Sequence, residues 1–288
     1  MRYLIISDIH GNWAALEAAA EMLPSLSPAG ILFLGDYITD GSDPQRILQM
    51  LRKINREYPC VFIRGNREEY FLKNRKQTDH SWQPCSHTGS LWYTAKHLTE
   101  MDLDWFAEMP ISQSIPTPDA TDFLICHGSP VSANDRMLGS KNKEHREEII
   151  RCIDQDLLIC GHSHRQEIYH IDAKRVIFCP SLGLPLMRNG IVPSQHMLQL
   201  DFSDDRWECS FLSVHYDTEA YIREMLDSPF ASASKIWCRG IAQTLRTQQN
   251  VIVDCLVLAH KLAEEDECAG VVPLPEIYWE QAAAQLGI

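Results

Sequence analysis

Three apolar runs in the first 65 residues, YLIIS (3 to 7), ILFLG (31 to 35) and CVFIRG (60 to 65), are each followed by a segment of helical spacing. After the first run comes NWAALEAAAEML, in which Trp13, Leu16, Ala20 and Leu23 recur on one helical face. After the second comes DPQRILQMLRKIN, with Asp43 as the expected N-cap and Pro44 at the first helical position. REEYFLKN follows the third. Strands that are apolar along their whole length must be covered on both faces, and a βαβα order supplies the helices that cover them. An α/β fold is therefore the expectation.

The polar stretch NRKQTDHSWQPCSH (about 74 to 88) reads as a loop and LWYTAKHL (91 to 98) as a helix. From DFLICHG (122 to 128) onward the texture changes to strands and tight turns, through DLLICGHSH, RQEIYHID, KRVIFCPS, QHMLQLDFS and WECSFLSVHY. RQEIYHID and RVIFCPS, joined by AK, predict a hairpin. A second, more antiparallel sheet is expected to follow the first. After about Tyr216 the spacing is helical to the last residue, through EAYIREMLDS, KIWCRGIAQTLRTQ and VIVDCLVLAHKLAEEDE. The expected division is thus 1–216 and a helical C-terminal extension, 217–288, packing on the core or on a partner subunit. Such an apolar helical face allows a homo-oligomer.

With 288 residues, 45% of them hydrophobic, the chain can bury a sizeable core. The formal charge of −13 excludes a broad nucleic-acid surface, which needs clustered cations. A small phosphorylated substrate stays open, because a bound cation inverts the potential inside a cleft. No segment reads as a membrane span or as a signal peptide, and the ten cysteines form no CxxC pair, which fits reduced thiols and a cytoplasmic setting.

Five apolar runs end in polar residues of one chemical type: SDIHGN (Asp8, His10), GDY (Asp36), GNRE (Asn66), CHG (His127) and GHSH (His162, His164). Asp8 and His10 lie at i and i+2, on one side of an extended chain. In open sheets with parallel strands, ligands bind beyond the carboxyl ends of the strands, so five such ends deliver seven oxygen or imidazole donors to one edge. Carboxylate and neutral imidazole suit Zn, Mn, Fe and Ni, while the lack of cysteine at these ends speaks against a structural zinc site. Two divalent ions, roughly 3.5 to 4 Å apart, would hold a bridging hydroxide and clamp the attacking and leaving oxygens of an in-line displacement at phosphorus. Asp36 is the natural bridging carboxylate.

The ordered set DIH, GDY, GNRE, HG and GHSH resembles the calcineurin-like metallophosphoesterases, whose pattern is DxH, GD, GNH followed by an acid, a later HG or GH, and GHxH. DIHGNWAALEA and CPSLGLPL further resemble the small bacterial phosphodiesterase branch. The likeness runs from residue 5 to about 188. It implies a four-layer α/β/β/α sandwich of two mixed sheets between helices. It also implies that Asp8, His10 and His164 hold one metal ion, that Asn66, His127 and His162 hold a second, and that Asp36 bridges them.

One position departs from the family pattern: Arg67 stands where the GNH histidine is thought to protonate the leaving oxygen. A guanidinium does not give up a proton near neutral pH, but its fork of donors binds phosphate, so Arg67 is the candidate catalytic residue. The competing reading pairs it with Glu68 or Glu69. Asn12 reads as an N-cap. His80, His87, His97, His145, His170, His196, His215 and His260 lack strand-end context and read as structural. The function expected is a dinuclear metal-dependent phosphoesterase acting on mono- or diesters, nucleotide-like or otherwise small. The alternatives are a non-catalytic interaction scaffold of the same fold, as in the retromer scaffold subunit of this family, and a phosphoserine or phosphothreonine phosphatase.

Overall fold

A computed structural model describes residues 1–76, 81–117, 121–138, 143–185, 195–204, 206–268 and 270–288. Strand β1 (Arg2–Ile6) pairs in parallel with β2 (Gly30–Phe33), which pairs in parallel with β3 (Cys60–Phe62). The crossovers are α1 (Trp13–Leu26) and α2 (Pro44–Glu57), and α3 (Asn66–Lys76) follows β3. Asn12 and Asp43 cap α1 and α2 by accepting from the N–H groups of Ala15 and Arg46, at 3.1 and 2.9 Å. Helix α3 runs on to Lys76, past the start of the expected loop, and 77–80, with His80, lie outside the described residues. Next come α4 (Gly89–His97), which contains the helix expected there, and α5 (Glu100–Glu108).

The second sheet has the order β4-β5-β6-β8-β7, from β4 (Ser112–Ile115), β5 (Phe123–Cys126), β6 (Leu157–Cys160), β7 (Glu167–Ile171) and β8 (Lys174–Phe178), with α6 (Lys143–Cys152) before β6. Its centre, β5-β6-β8, is parallel, and β4 and β7 are antiparallel edges. The β7–β8 hairpin turns between Ile171 and Lys174, as its sequence predicts. The last two strands differ from expectation. β9 (Gln195–Ser203) and β10 (Arg206–Val214) join the first sheet, antiparallel to β1, giving the order β10-β9-β1-β2-β3. Local alternation reveals a strand but not its partner, and β9 is recruited across about 190 residues by the edge of β1 that β2 leaves unpaired.

Period-2 alternation distributes each strand between two cores. Leu4 and Ile6 of β1 and Ile31 and Phe33 of β2 face α1 and α2, where Leu16, Leu23, Ile47 and Leu51 cover them. Ile5 and Leu32 face the other way and meet Ile125, Ile159 and Ile177 of the second sheet. Leu158 and Cys160 of β6 point outward to Ile150 of α6. The result is helix, sheet, sheet, helix.

After β10 the chain forms α7 (Thr218–Asp227), α8 (Pro229–Ser234), α9 (Ile236–Thr247), α10 (Val251–Glu265) and α11 (Glu276–Leu286). Their shared core, with Tyr221, Phe230 and Trp279, also takes in Tyr93 of α4 and Leu184. No helix of the described residues is long and apolar enough to cross a membrane.

Candidate metal centre

The loops after β1 and β2 are zipped together by backbone bonds from the N–H groups of Asp8, His10 and Gly11 to the carbonyls of Gly35, Asp36 and Tyr37. Five of the seven predicted donors sit in the left-handed region, with φ of 54° at Asp8, 45° at His10, 56° at Asp36, 62° at His162 and 57° at His164. Each such backbone costs on the order of 1 kcal/mol, and clusters of this kind mark sites where surrounding contacts impose the conformation. Gly65 is needed for space, since a Cβ there would collide with the Asp36 carboxylate.

Two groups emerge in which every donor atom lies within 4.8 Å of the others: Asp8, His10 and His164, and Asp36, His127 and His162. Asn66, at the start of α3, adds its Oδ1 3.2 Å from His127 Nε2. Asp36 faces both groups, with Oδ2 3.7 Å from His10 Nε2 and Oδ1 3.5 Å from His127 Nε2. All seven predicted donors therefore converge.

The hydrogen bonds fix which nitrogen is turned inward. His10 Nδ1 lies 3.0 Å from Asp40 Oδ2, and His127 and His164 Nδ1 each lie 2.5 Å from a carbonyl, of Leu34 and Leu184. A carboxylate and a carbonyl only accept, so each Nδ1 donates, and each ring, when neutral, offers an Nε2 lone pair to the centre. The Nε2 atoms of His10 and His164 are 3.2 Å apart, and Asp8 Oδ1, buried without a hydrogen-bond partner, is 3.2 Å from His164 Nε2. Lone pairs and an orphaned carboxylate oxygen at these separations fit a shared cation.

The electrostatics agree. Burial works to raise Asp8 and Asp36, yet His164 and His127 beside Asp8, and His127 beside Asp36, hold both far below the usual carboxylate range. Burial opposes the charge on His127, but Asp36 and Asp8 push it up to about 10, while burial and His127 drive His162 down to about 4. The two carboxylates demand positive charge between them.

Sequence reasoning missed the supports. Asp40 accepts from His10, from Ser90 Oγ at 2.7 Å and from Trp237 Nε1 at 2.8 Å. Its signal was faint: one more acid in the turn after GDY. Glu68 accepts from the backbone N–H groups of Asp36, Tyr37 and Gly65 at 2.8 to 2.9 Å, tying two ligand loops together. Burial, with Asp36 adding to it, moves Glu68 up to about 7. In CPSLGLPL, Ser181 donates to the Asp8 carbonyl and Leu184 supplies the acceptor for His164. Leu186 of that motif lies outside the described residues.

Arg67 lies at the rim, with Nε 3.9 Å from Asp36 and an Nη 3.8 Å from Asp40. It pairs with neither acidic neighbour: Glu68 is engaged as above, and Glu69 faces Arg64 and Lys73. Its Nε has no hydrogen-bond partner. Burial works against its charge, but Asp40 and Asp36 outweigh that and raise its pKa. Of the histidines read as structural, His97 donates from Nδ1 to the Tyr93 carbonyl of its own helix, and His145 meets Asp135. His87 lines the same cleft as the metal centre.

Comparison with known proteins agrees with this geometry. A family model described as calcineurin-like phosphoesterase matches residues 1–166. An uncharacterised protein of Methanocaldococcus jannaschii is 23% identical over 230 residues, 74% of this chain and 87% of its own. A hypothetical protein of Pyrococcus horikoshii superposes with a TM-score of 0.68 at 17% identity, covering 85% of this chain and 97% of that one. A metallophosphoesterase of Sphaerobacter thermophilus gives 0.60 at 20% identity, covering 82% and 98%.

Proposed function

Because the chain belongs to the calcineurin-like phosphoesterase family, we propose that it is a dinuclear metal-dependent hydrolase of small phosphate mono- or diesters. The family binds divalent metals, and the observation that carries this reading is the inward turn of the Nε2 atoms of His10, His127 and His164 onto Asp8 and Asp36. Asp8, His10 and His164 would hold one ion and Asn66, His127 and His162 the other, with Asp36 shared. Manganese, iron, nickel or zinc suits such a donor set. Bound there, the ions would polarise a phosphoryl group and acidify water.

The protein's own groups account for the rest. Asp40 and the Leu34 and Leu184 carbonyls keep the imidazoles in one tautomer and raise their basicity. Arg67, held by Asp36 and Asp40 only at 3.8 to 3.9 Å, would give its fork of donors to phosphoryl oxygens. Because it holds its proton near neutral pH, departure of the alcohol is unassisted at this position, and the loss of a general acid typically costs about 10² to 10⁴ in rate. Esters of acidic alcohols are therefore the favoured substrates. A scaffold role is less well supported, since a retired centre has no need to keep seven donors, their tautomer partners and their strained backbone.

The test is a hydrolysis panel of aryl monoesters, aryl diesters, cyclic nucleotides and dinucleoside polyphosphates. It is run on metal-stripped protein reconstituted separately with Mn, Ni, Zn, Fe and Mg. Metal-dependent turnover of aryl esters is expected. Metal uptake without turnover of any ester would favour the scaffold, and no uptake at all would sink the assignment.

A further inference from the structure

We propose that helices α9 and α10 form a subsite of the metal-centre cleft that takes an uncharged, flat and apolar ester group, aromatic in character. This deepens the phosphoesterase reading and rests on it. The cleft has a volume of about 720 Å³, within the range of small-molecule sites. Asp36, Asn66, His162, His164 and Arg67 line one side; Trp237, Asn250, Ile252, Val253 and Leu256, all from the C-terminal helices or their junction, line another. Among the described residues, that second wall carries no charged side chain. His87 extends it; its Nδ1 accepts from the Leu274 N–H at 2.7 Å and so carries no proton, and burial, helped by His260, lowers its pKa.

The wall begins one side chain from the metal ligands. Trp237 donates to the Asp40 carboxylate that also holds His10, and its ring meets Trp279 edge to face at 6.1 Å between centroids. The indole is therefore fixed before any ligand arrives, which lowers the ordering cost of binding. Asn250 gives an independent sign. It stands at the N-cap of α10 but makes no side-chain cap hydrogen bond, and its Oδ1 is buried without a partner beside the cleft. An N–H or O–H on the edge of a ring lying on Ile252, Val253 and Leu256 would satisfy it. A second phosphate or a charged peptide would find no counter-charge among these five side chains; the cleft's other cations, Arg136 and Arg165, lie outside the C-terminal helices.

The test uses calorimetric titration of the metal-reconstituted full chain with methylphosphonate, phenylphosphonate, 1-naphthylphosphonate and methylenediphosphonate. Burial of one aromatic ring should tighten binding on the order of tenfold or more from methyl to naphthyl. In Val253→Ser and Leu256→Ser, both at half-buried positions, the naphthyl-to-methyl ratio should fall toward one. Equal affinity for methyl and naphthyl, an unchanged ratio in both variants, or a loss in those variants as large for methylenediphosphonate as for the naphthyl probe would each overturn the subsite. If methylphosphonate binds and the ratio is flat, only the subsite fails. If none of the four probes binds metal-loaded protein, the phosphoesterase reading fails with it.

Discussion

Asp36 is the residue on which the centre turns, because its two oxygens face different imidazoles, His10 and His127. Asp36→Asn preserves shape but removes the charge shared by both groups, so both ions should bind more weakly. Loss of a supporting residue alone typically costs about 10- to 100-fold in metal affinity, and loss of a ligand at least as much. His164→Ala should instead empty mainly the group formed with Asp8 and His10. Elemental analysis after dialysis checks this, and two ions at full occupancy in Asp36→Asn would contradict the bridging role. Arg67 poses a different question. If its guanidinium binds phosphoryl oxygens, Arg67→Ala should raise KM and lower kcat/KM for every substrate, by about 1.5 to 3 kcal/mol for one charge-assisted contact. If a missing acid limits the reaction, Arg67→His should selectively improve alkyl over nitrophenyl esters. Kinetics untouched by Arg67→Ala would leave it a structural partner of Asp36 and Asp40.

At the scale of elements, α5 shows what local sequence can specify and what was overlooked. Thr99 caps the helix by accepting from the Asp102 N–H, while Asp102 accepts in return from the Thr99 N–H at 2.9 Å, a reciprocal box spelled out by TEMD. The same carboxylate accepts from Arg52 and Gln45 of α2, at 2.5 and 2.9 Å. Asp102→Asn should cost about 1 to 2 kcal/mol, read as a lower urea midpoint at pH 7. Burial works to raise the Asp102 pKa, but the bonds from Thr99, Arg52 and Gln45 outweigh it and the value is lowered. A lowered folded value means its contribution is present above the ordinary 3.8 and lost as pH falls through the folded value. The difference between Asp102→Asn and the parent should therefore shrink in acid; a constant difference would contradict the charge-based account. Elements with their own period, caps and turns, such as α1, α2 and the β7–β8 hairpin, were legible in the sequence. So were the seven donors, because each closes an apolar run. The pairing of β9 with β1 was not, since it depends on which strand edge is left open far away in sequence. Asp40 and Glu68 were not legible as supports for the same reason: their roles are defined by partners on other loops.

For the molecule as a whole, the open question is whether residues 217–288 are an appendage or part of the working unit. We propose the latter, with 1–216 carrying the metal centre and the helices completing it. Tyr221 stacks edge to face on Trp13 and donates to the Gly11 carbonyl next to His10, at 3.3 Å. Glu276 accepts from the Ser86 N–H and hydroxyl, and Trp237 reaches Asp40. Tyr93 and Leu184 are buried only within the core that these helices share. Removing the helices would strip cover from those side chains and from Trp13. At about 1.5 to 3 kcal/mol for each large apolar side chain returned to water, the loss is comparable with the whole stability of a typical domain. A chain ending at residue 216 should therefore aggregate or unfold at markedly lower temperature than the full chain. Trp237→Phe supplies the finer test, because it keeps most of the packing and removes only the N–H held by Asp40. It should leave the melting temperature nearly unchanged while weakening metal retention, through a less firmly held His10. If the truncated chain is as stable, monodisperse and metal-replete as the parent, the helices are an independent appendage; if Trp237→Phe retains metal fully, Asp40 needs no help from them.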